Sequence, residues 1–134
     1  MLPVIVNIIP HCKVDSTDWI PLDFGIHSLL NKNINKNIWN LQITCDAGMK
    51  YQIMLSSGQS YFNKQRYLRS IKGEKILYNL YIDAIYQHIW DEIHGLTLIS
   101  NGKKTSIPIY GLIPKQTTPS TGRYTDTIII TVSW

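Results

Sequence analysis

The sequence predicts an all-β sandwich, and three observations carry that reading. In the closing stretch, Tyr124, Ile128, Ile130, Val132 and Trp134 share one parity, while Thr125, Thr127, Thr131 and Ser133 share the other. Such a two-residue period belongs to a strand with one face in a core. About eight short stretches of this kind recur, separated by Gly, Pro, Asn and Ser turns, which is the spacing of a sandwich. Residues 84–93 are ambiguous, because Ile82, Ile85, Ile89 and Ile93 also fit a helical stripe; a strand ending at Asp83 and then a short helical or irregular turn is expected there.

Taken in order, Leu2, Val4, Val6 and Ile8 alternate with Pro3, Ile5, Asn7 and Ile9, a strand apolar on both faces that needs cover on both. Pro10 ends it. Cys12 and Val14 begin a second short strand, and residues 19–25 read as an extended segment closing in a glycine turn. Residues 31–40, rich in Asn and Lys, read as a loop or loose edge. Trp39, Leu41, Ile43 and Cys45 then form an inward row. The Ala47-Gly48 turn leads to a second row, Tyr51, Ile53 and Leu55, and the two are expected to pair as a hairpin. Residues 77–82, 96–99 and 107–113 are further strands, with Pro108 best placed where no ladder bond is needed. Pro119 to Gly122 is a turn that starts the final strand. The chain stops inside that strand, so its edge calls for a neighbour.

At 134 residues and 44% hydrophobic content the chain suits one domain with a proper core. No apolar run reaches the ~18–20 residues of a membrane helix. The start shows no signal peptide, so the expectation is either a cytosolic protein or a mature form with an added or reassigned Met1. The net charge is +4. Lys64, Arg66, Arg69, Lys72 and Lys75 contribute, interleaved with Tyr61, Phe62 and Tyr67; this reads as a solvated hairpin, with a polyanion-binding surface as the alternative. Cys12 and Cys45 are the two cysteines, a number compatible with one disulfide and an oxidising compartment.

Several motifs together resemble the spore coat protein U domain family, the fold of archaic chaperone–usher pilus subunits. They are Cys12-Lys-Val14, Leu22-Asp-Phe-Gly25, Ile43-Thr-Cys45, Leu77-Tyr-Asn-Leu-Tyr81 with Asp83 and Trp90, and Ile109-Tyr-Gly-Leu-Ile-Pro114. The most specific is Gly122-x-Tyr-x-Asp-Thr-Ile-x-Ile-Thr-Val-x-Trp134. They follow the family's order from Ile8 to the end. The pattern is departed from after Trp90, where Asp91-Glu-Ile-His94 stands in place of a glycine-containing turn, and the N-terminal segment is short.

The resemblance implies an incomplete immunoglobulin-like β-sandwich completed by a donor strand. Residues 1–11 would be the donor-strand extension, with Leu2, Val4, Val6 and Ile8 as its inserting row, and residues 12–134 the pilin domain. Tyr124, Ile128, Ile130, Val132 and Trp134 of the final strand would line the acceptor groove. A Cys12–Cys45 disulfide is implied. So are a periplasmic chaperone, an outer-membrane usher and further copies of the subunit as partners, with a pilus at the cell surface reached through the periplasm. In the competing reading, residues 2–9 are the domain's own first strand, or swap within a small oligomer.

No catalytic, metal or cofactor constellation is expected. His11, His27, His88 and His94 show no metal-ligand spacing, Ser56-Ser-Gly58 is a turn rather than a nucleophile elbow, and no glycine-rich phosphate loop occurs. A sugar-stacking platform from Tyr78, Tyr81, Tyr110, Tyr124, Trp90 and Trp134 is the alternative to their packing in the core. The chain is read as a non-enzyme: a polymerising pilus subunit supporting adhesion and biofilm formation. The alternatives are a coat protein of the same fold, or a polyanion- or carbohydrate-binding adhesin module. A two-domain tip adhesin finds no room in this length, and no specific nucleic-acid partner is expected.

Overall fold

The computed structural model describes residues 1–9, 11–15 and 21–134. Within them the chain forms β1 (Cys12–Val14), β2 (Ile34–Cys45), β3 (Lys50–Leu55), β4 (Arg66–Arg69), β5 (Lys75–Tyr81), β6 (Leu96–Ile99), β7 (Thr105–Ile113) and β8 (Ile130–Ser133). A five-stranded sheet has the order β1-β2-β7-β5-β4, and a three-stranded sheet the order β6-β3-β8. All pairs are antiparallel. The expected all-β sandwich is therefore present, its core built from the inward parity of both sheets. The expected strand end at Pro10 and the first part of the extended stretch 19–25 lie outside the described residues. Beyond them, Leu22 and Phe24 pack so closely on β7 that a Cβ at Gly111 would lie 2.9 Å from the Phe24 ring.

Strand β2 corrects two expectations. Residues 34–40 are not a loop or loose edge but the first half of a long central strand, paired with β7 from Ile34↔Ile113 onward. Ile34 and Ile38 already lie on one parity; the Asn and Lys residues between them read as low complexity and hide it. The register shifts between Ile38 and Leu41, so Trp39 and Asn40 together oppose the single Pro108. A bulge there suits proline, which has no N–H to give the ladder. The extra residue also flips the parity: Ile38 is buried before it and Leu41, Ile43 and Cys45 after it, while Trp39, expected inward, is 55% exposed.

The expected hairpin between β2 and β3 is also overturned. The turn at Ala47-Gly48 carries the chain from one sheet to the other, and β3 pairs with β6 and β8 instead. The Gly48 N–H donates to the Ser100 carbonyl at 2.8 Å and the Met49 N–H to the Asp46 carbonyl at 3.2 Å. Both rows are fully apolar on their inward side. Facing one another across the sandwich, each buries the other, which side-by-side pairing would not achieve.

The final strand is shorter than expected. Only Ile130–Ser133 is strand, in register from Leu55↔Ile130 to Gln52↔Ser133. Upstream, Thr125 bridges to Arg69 at the edge of the other sheet, so residues 126–129 cross between layers. Asp126 anchors the crossing: it accepts from the Gln59 N–H (2.7 Å), the Thr127 N–H (2.8 Å) and the Tyr78 hydroxyl (2.5 Å). Residues 83–94 are irregular rather than helical. They deliver Trp90 into the core, where its indole N–H donates to the Ile53 carbonyl at 2.9 Å.

Candidate functional site

Two edge strands define the site. Among the described residues, β1 pairs with β2 alone and β8 with β3 alone, so each leaves one side of its backbone without a strand partner there. Their core-facing side chains are incompletely covered. Directly paired residues of antiparallel strands share a face. Val14 is paired with Ile43, yet Val14 is 46% exposed where Ile43 is 1% exposed. In the other sheet, Tyr51, Ile53 and Leu55 of β3 are buried, whereas Ile130 and Val132 of neighbouring β8 are only half-buried, as is Ile128 before them. The sandwich is therefore open along an apolar margin between these edges. At one end the margin is bounded by the His11 and Trp134 rings, which meet edge to face at 5.9 Å.

Of the final-strand residues singled out in the sequence, Tyr124, Ile128, Ile130 and Val132 pack against the core from its rim. Trp134, expected in the same inward row, is 59% exposed and sits at the end of the margin. Cys12 and Cys45 are joined in a disulfide at directly paired positions of β1 and β2. The bridge ties edge strand β1 to the sheet across a sequence separation of 33, a constraint worth about 3–4 kcal/mol on the chain-entropy view.

Residues 1–9 form no strand within the chain. Each of their large apolar side chains, Leu2, Val4, Val6 and Ile8 among them, is at least 77% exposed, and Ile5 and Ile9 are equally uncovered.

The residue that sequence reasoning missed is Arg66. It belongs to the basic hairpin read as solvated, but it is 1% exposed. Its guanidinium donates to the Ser56 carbonyl from Nε (3.2 Å) and Nη2 (2.6 Å), to the Trp90 carbonyl from Nη2 (2.7 Å), and to Asn79 Oδ1 from Nη1 (3.1 Å). Burial lowers its pKa, opposed by the Tyr78, Asp91 and Asp126 groups nearby. Ser56 in turn holds the entrance to β8: its N–H donates to the Ile129 carbonyl at 2.9 Å, and its hydroxyl accepts from the Ile129 N–H at 2.8 Å. Arg66 thus ties β4, β5 and the Trp90 loop to the approach of β8. The alternation of β4 is the signal that finds it, because Arg66 shares parity with Leu68.

The remaining candidates are dispersed. Tyr78 and Trp90 are buried, Tyr81, Tyr110 and Tyr124 half-buried, and with Trp134 they form no shared platform. His88 and His94 contact Asp83 and Asp91 through Nδ1, each at 3.2 Å. Among the described residues no three His, Cys, Asp or Glu side chains gather as a metal site would require.

With this geometry in view, the chain can be set beside known proteins. The family model described as Spore Coat Protein U domain matches residues 1–131. Among solved structures, the chain is similar to one in the CsuC–CsuE chaperone–tip adhesion subunit pre-assembly complex from archaic chaperone-usher Csu pili of Acinetobacter baumannii. The TM-score is 0.66 at 19% identity, over 95% of this chain and 40% of that one. It is also similar to a chain in a chaperone–tip adhesin complex of CFA/I fimbriae biogenesis, with a TM-score of 0.53 at 15% identity, over 92% of this chain and 41% of that one. This chain thus spans less than half the length of either, and at these identities the likeness is one of fold. No curated protein matches the chain.

Proposed function

Because this chain belongs to the Spore Coat Protein U domain family, we propose that it is a structural subunit of an archaic chaperone–usher pilus, polymerising head to tail by donor-strand exchange. One observation carries the reading: the same chain exposes an apolar alternating segment at residues 1–9 and an apolar margin beside β8. Each is what the other lacks. The segment cannot bury its side chains alone, and the margin lacks a strand.

In this reading residues 1–11 leave the domain formed by residues 12–134 and enter the margin of the next subunit. Leu2, Val4, Val6 and Ile8 fill the positions above Ile128, Ile130 and Val132, while the main chain pairs with the free side of β8. Four buried aliphatic side chains contribute about 6–12 kcal/mol before ordering costs. A contact between two different surfaces of one subunit is heterologous and does not close on itself, so the product is a fibre. Before assembly the margin needs a surrogate strand. That is the place of a periplasmic chaperone, with an outer-membrane usher exchanging it for the next subunit; the similar structures, both complexes with chaperones, support this partner. The Cys12–Cys45 disulfide suits the oxidising route to the cell surface. The role is structural rather than catalytic, with adhesion and biofilm formation as its use.

The test is the native molar mass of the full chain and of a chain lacking residues 2–9, both made in an oxidising compartment with the cognate chaperone. A heat-sensitive ladder from the full chain, with the truncated form remaining on the chaperone, is the expected result. Two soluble monomers of equal stability would assign the fold to a self-contained coat or binding domain instead.

A further inference from the structure

The β4–β5 hairpin lies at the edge of the five-stranded sheet farthest from β1 and carries cations that form no salt bridge among the described residues. Arg66 and Leu68 point into the core opposite Tyr78 and Ile76, which puts Tyr67 and Arg69 on the outer face, opposite Leu77 and Lys75. Arg69 and Lys75 are direct cross-strand partners, and like charges so placed repel. Lys72 is exposed in the turn between the strands. Gly73 keeps that turn close to Arg69, whose guanidinium would lie 3.6 Å from an added Cβ there.

The carboxylate of the turn feels the Lys72 charge but forms no ion pair with it. Glu74 accepts instead from the Ser120 N–H (3.0 Å), the Ser120 hydroxyl (3.0 Å) and the Tyr124 hydroxyl (3.1 Å). Among the described residues, the ion pairs are Lys13–Asp15, His88–Asp83 and His94–Asp91, none of them on this hairpin. Lys75 leans over the Tyr67 ring, its Nζ 5.3 Å from the centroid. The Arg69 backbone edge is closed, since its N–H and carbonyl exchange bonds with Thr125 at 2.9 and 3.0 Å. At that point the surface offers side chains rather than a strand edge.

We infer that the outer face of this hairpin binds an acidic polysaccharide, its sulfate or carboxylate groups lying among Arg69, Lys72 and Lys75 and a sugar ring packing on Tyr67. Charge complementarity identifies the occupant as a polyanion. Among the paired residues of β4 and β5, Tyr67 is the one aromatic on the outer face, half-buried, and the exposed Tyr61 and Phe62 precede the strands. One ring there fits a sugar face better than the successive base platforms that single-stranded nucleic acid uses. The site uses neither residues 1–9 nor the β8 margin, so it stands or falls independently of the pilus reading.

The test is equilibrium binding of the full-length oxidised chain to a heparin oligosaccharide, polygalacturonate, neutral dextran and duplex DNA at about 0.15 M salt. Binding to heparin assigns sulfate as the recognised group, and binding to polygalacturonate assigns carboxylate. R69Q/K72Q/K75Q is expected to weaken binding at least tenfold and to reduce the salt slope by about one per cation removed. The single exposed-turn change K72E gives a several-fold loss without touching either strand. Y67S is expected to weaken binding several-fold with the slope unchanged, and K50Q/K103Q/K104Q to stay within twofold of the parent. No binding to either acidic polysaccharide, equal binding by the parent and R69Q/K72Q/K75Q, or DNA or dextran bound as tightly as the acidic polysaccharide, each overturns the assignment.

Discussion

Arg66 shows how far one side chain departs from its class. A buried cation normally meets a carboxylate; this one meets two backbone carbonyls and an amide oxygen. Its worth lies in the acceptors it satisfies, each costing about 1–3 kcal/mol if left bare. Arg66→Met, close in length but without donors, strands the Ser56 and Trp90 carbonyls and is expected to lose about 2–4 kcal/mol in chemical denaturation. A loss under ~0.5 kcal/mol would mean that water replaces the guanidinium and that the tie to β8 is not structural. Asp91 gives a second test. Burial works against its charge, but the His94 and Ile93 N–H groups and the His94 ring outweigh it and hold its pKa below the ordinary value. A carboxylate depressed in the folded state adds stability that is fully present above its unfolded pKa of about 3.9 and is lost as pH falls through the lower folded value. The stability gap between the parent and Asp91→Asn is therefore expected to be constant at neutral pH and to shrink as the parent is acidified below about pH 4; a gap that stays constant in acid would remove Asp91 from the account.

Local alternation made most of the elements legible. β1, β3, β5, β6 and β7 fall where inward rows such as Tyr51, Ile53 and Leu55 place them. What stayed hidden depends on partners distant in sequence. The first half of β2 is held by β7, whose long edge supplies hydrogen bonds that Asn and Lys side chains do not advertise. The Trp39 bulge requires knowing that Pro108 lies opposite. Whether two rows pair or face each other across a core is likewise undetermined by either row alone, which is why the β2–β3 turn was open to both arrangements. At the open margin, composition marked the β8 residues as apolar, but their half-burial follows only from an unfilled neighbouring position. The segment entering β8 is the element most sensitive to a small change. Gly58 has φ +81°, and a Cβ there would lie 2.2 Å from the Asp126 carboxylate. Gly58→Ala thus combines a left-handed backbone with a displaced anchor, an expected cost of roughly 2–4 kcal/mol. Because that anchor holds the crossing segment, hydrogen exchange at β8 is expected to accelerate more than at β7; equal acceleration in both strands would show that the anchor acts on the whole domain.

At the scale of the whole molecule, the proposed fibre makes a demand that neither half meets alone: the inserted segment must have a parity. Within the chain both parities of residues 1–9 are exposed, Ile5 and Ile9 as much as Leu2, Val4, Val6 and Ile8. A single subunit is therefore indifferent to which row carries a charge. A strand seated in an apolar margin is not, because one row enters it and the other faces out. Burying an unpaired carboxylate costs several kcal/mol, enough to cancel a large part of the insertion energy. Val6→Asp is thus expected to abolish the ladder of assembled subunits, and Ile5→Asp to leave it largely intact. The melting temperature of the chaperone-bound subunit should be the same for both, since neither residue is packed before assembly. If both substitutions block assembly equally, the segment contributes stickiness rather than a registered strand. If neither does, the subunits are held by another surface, and the half-buried row of β8 has some other cover.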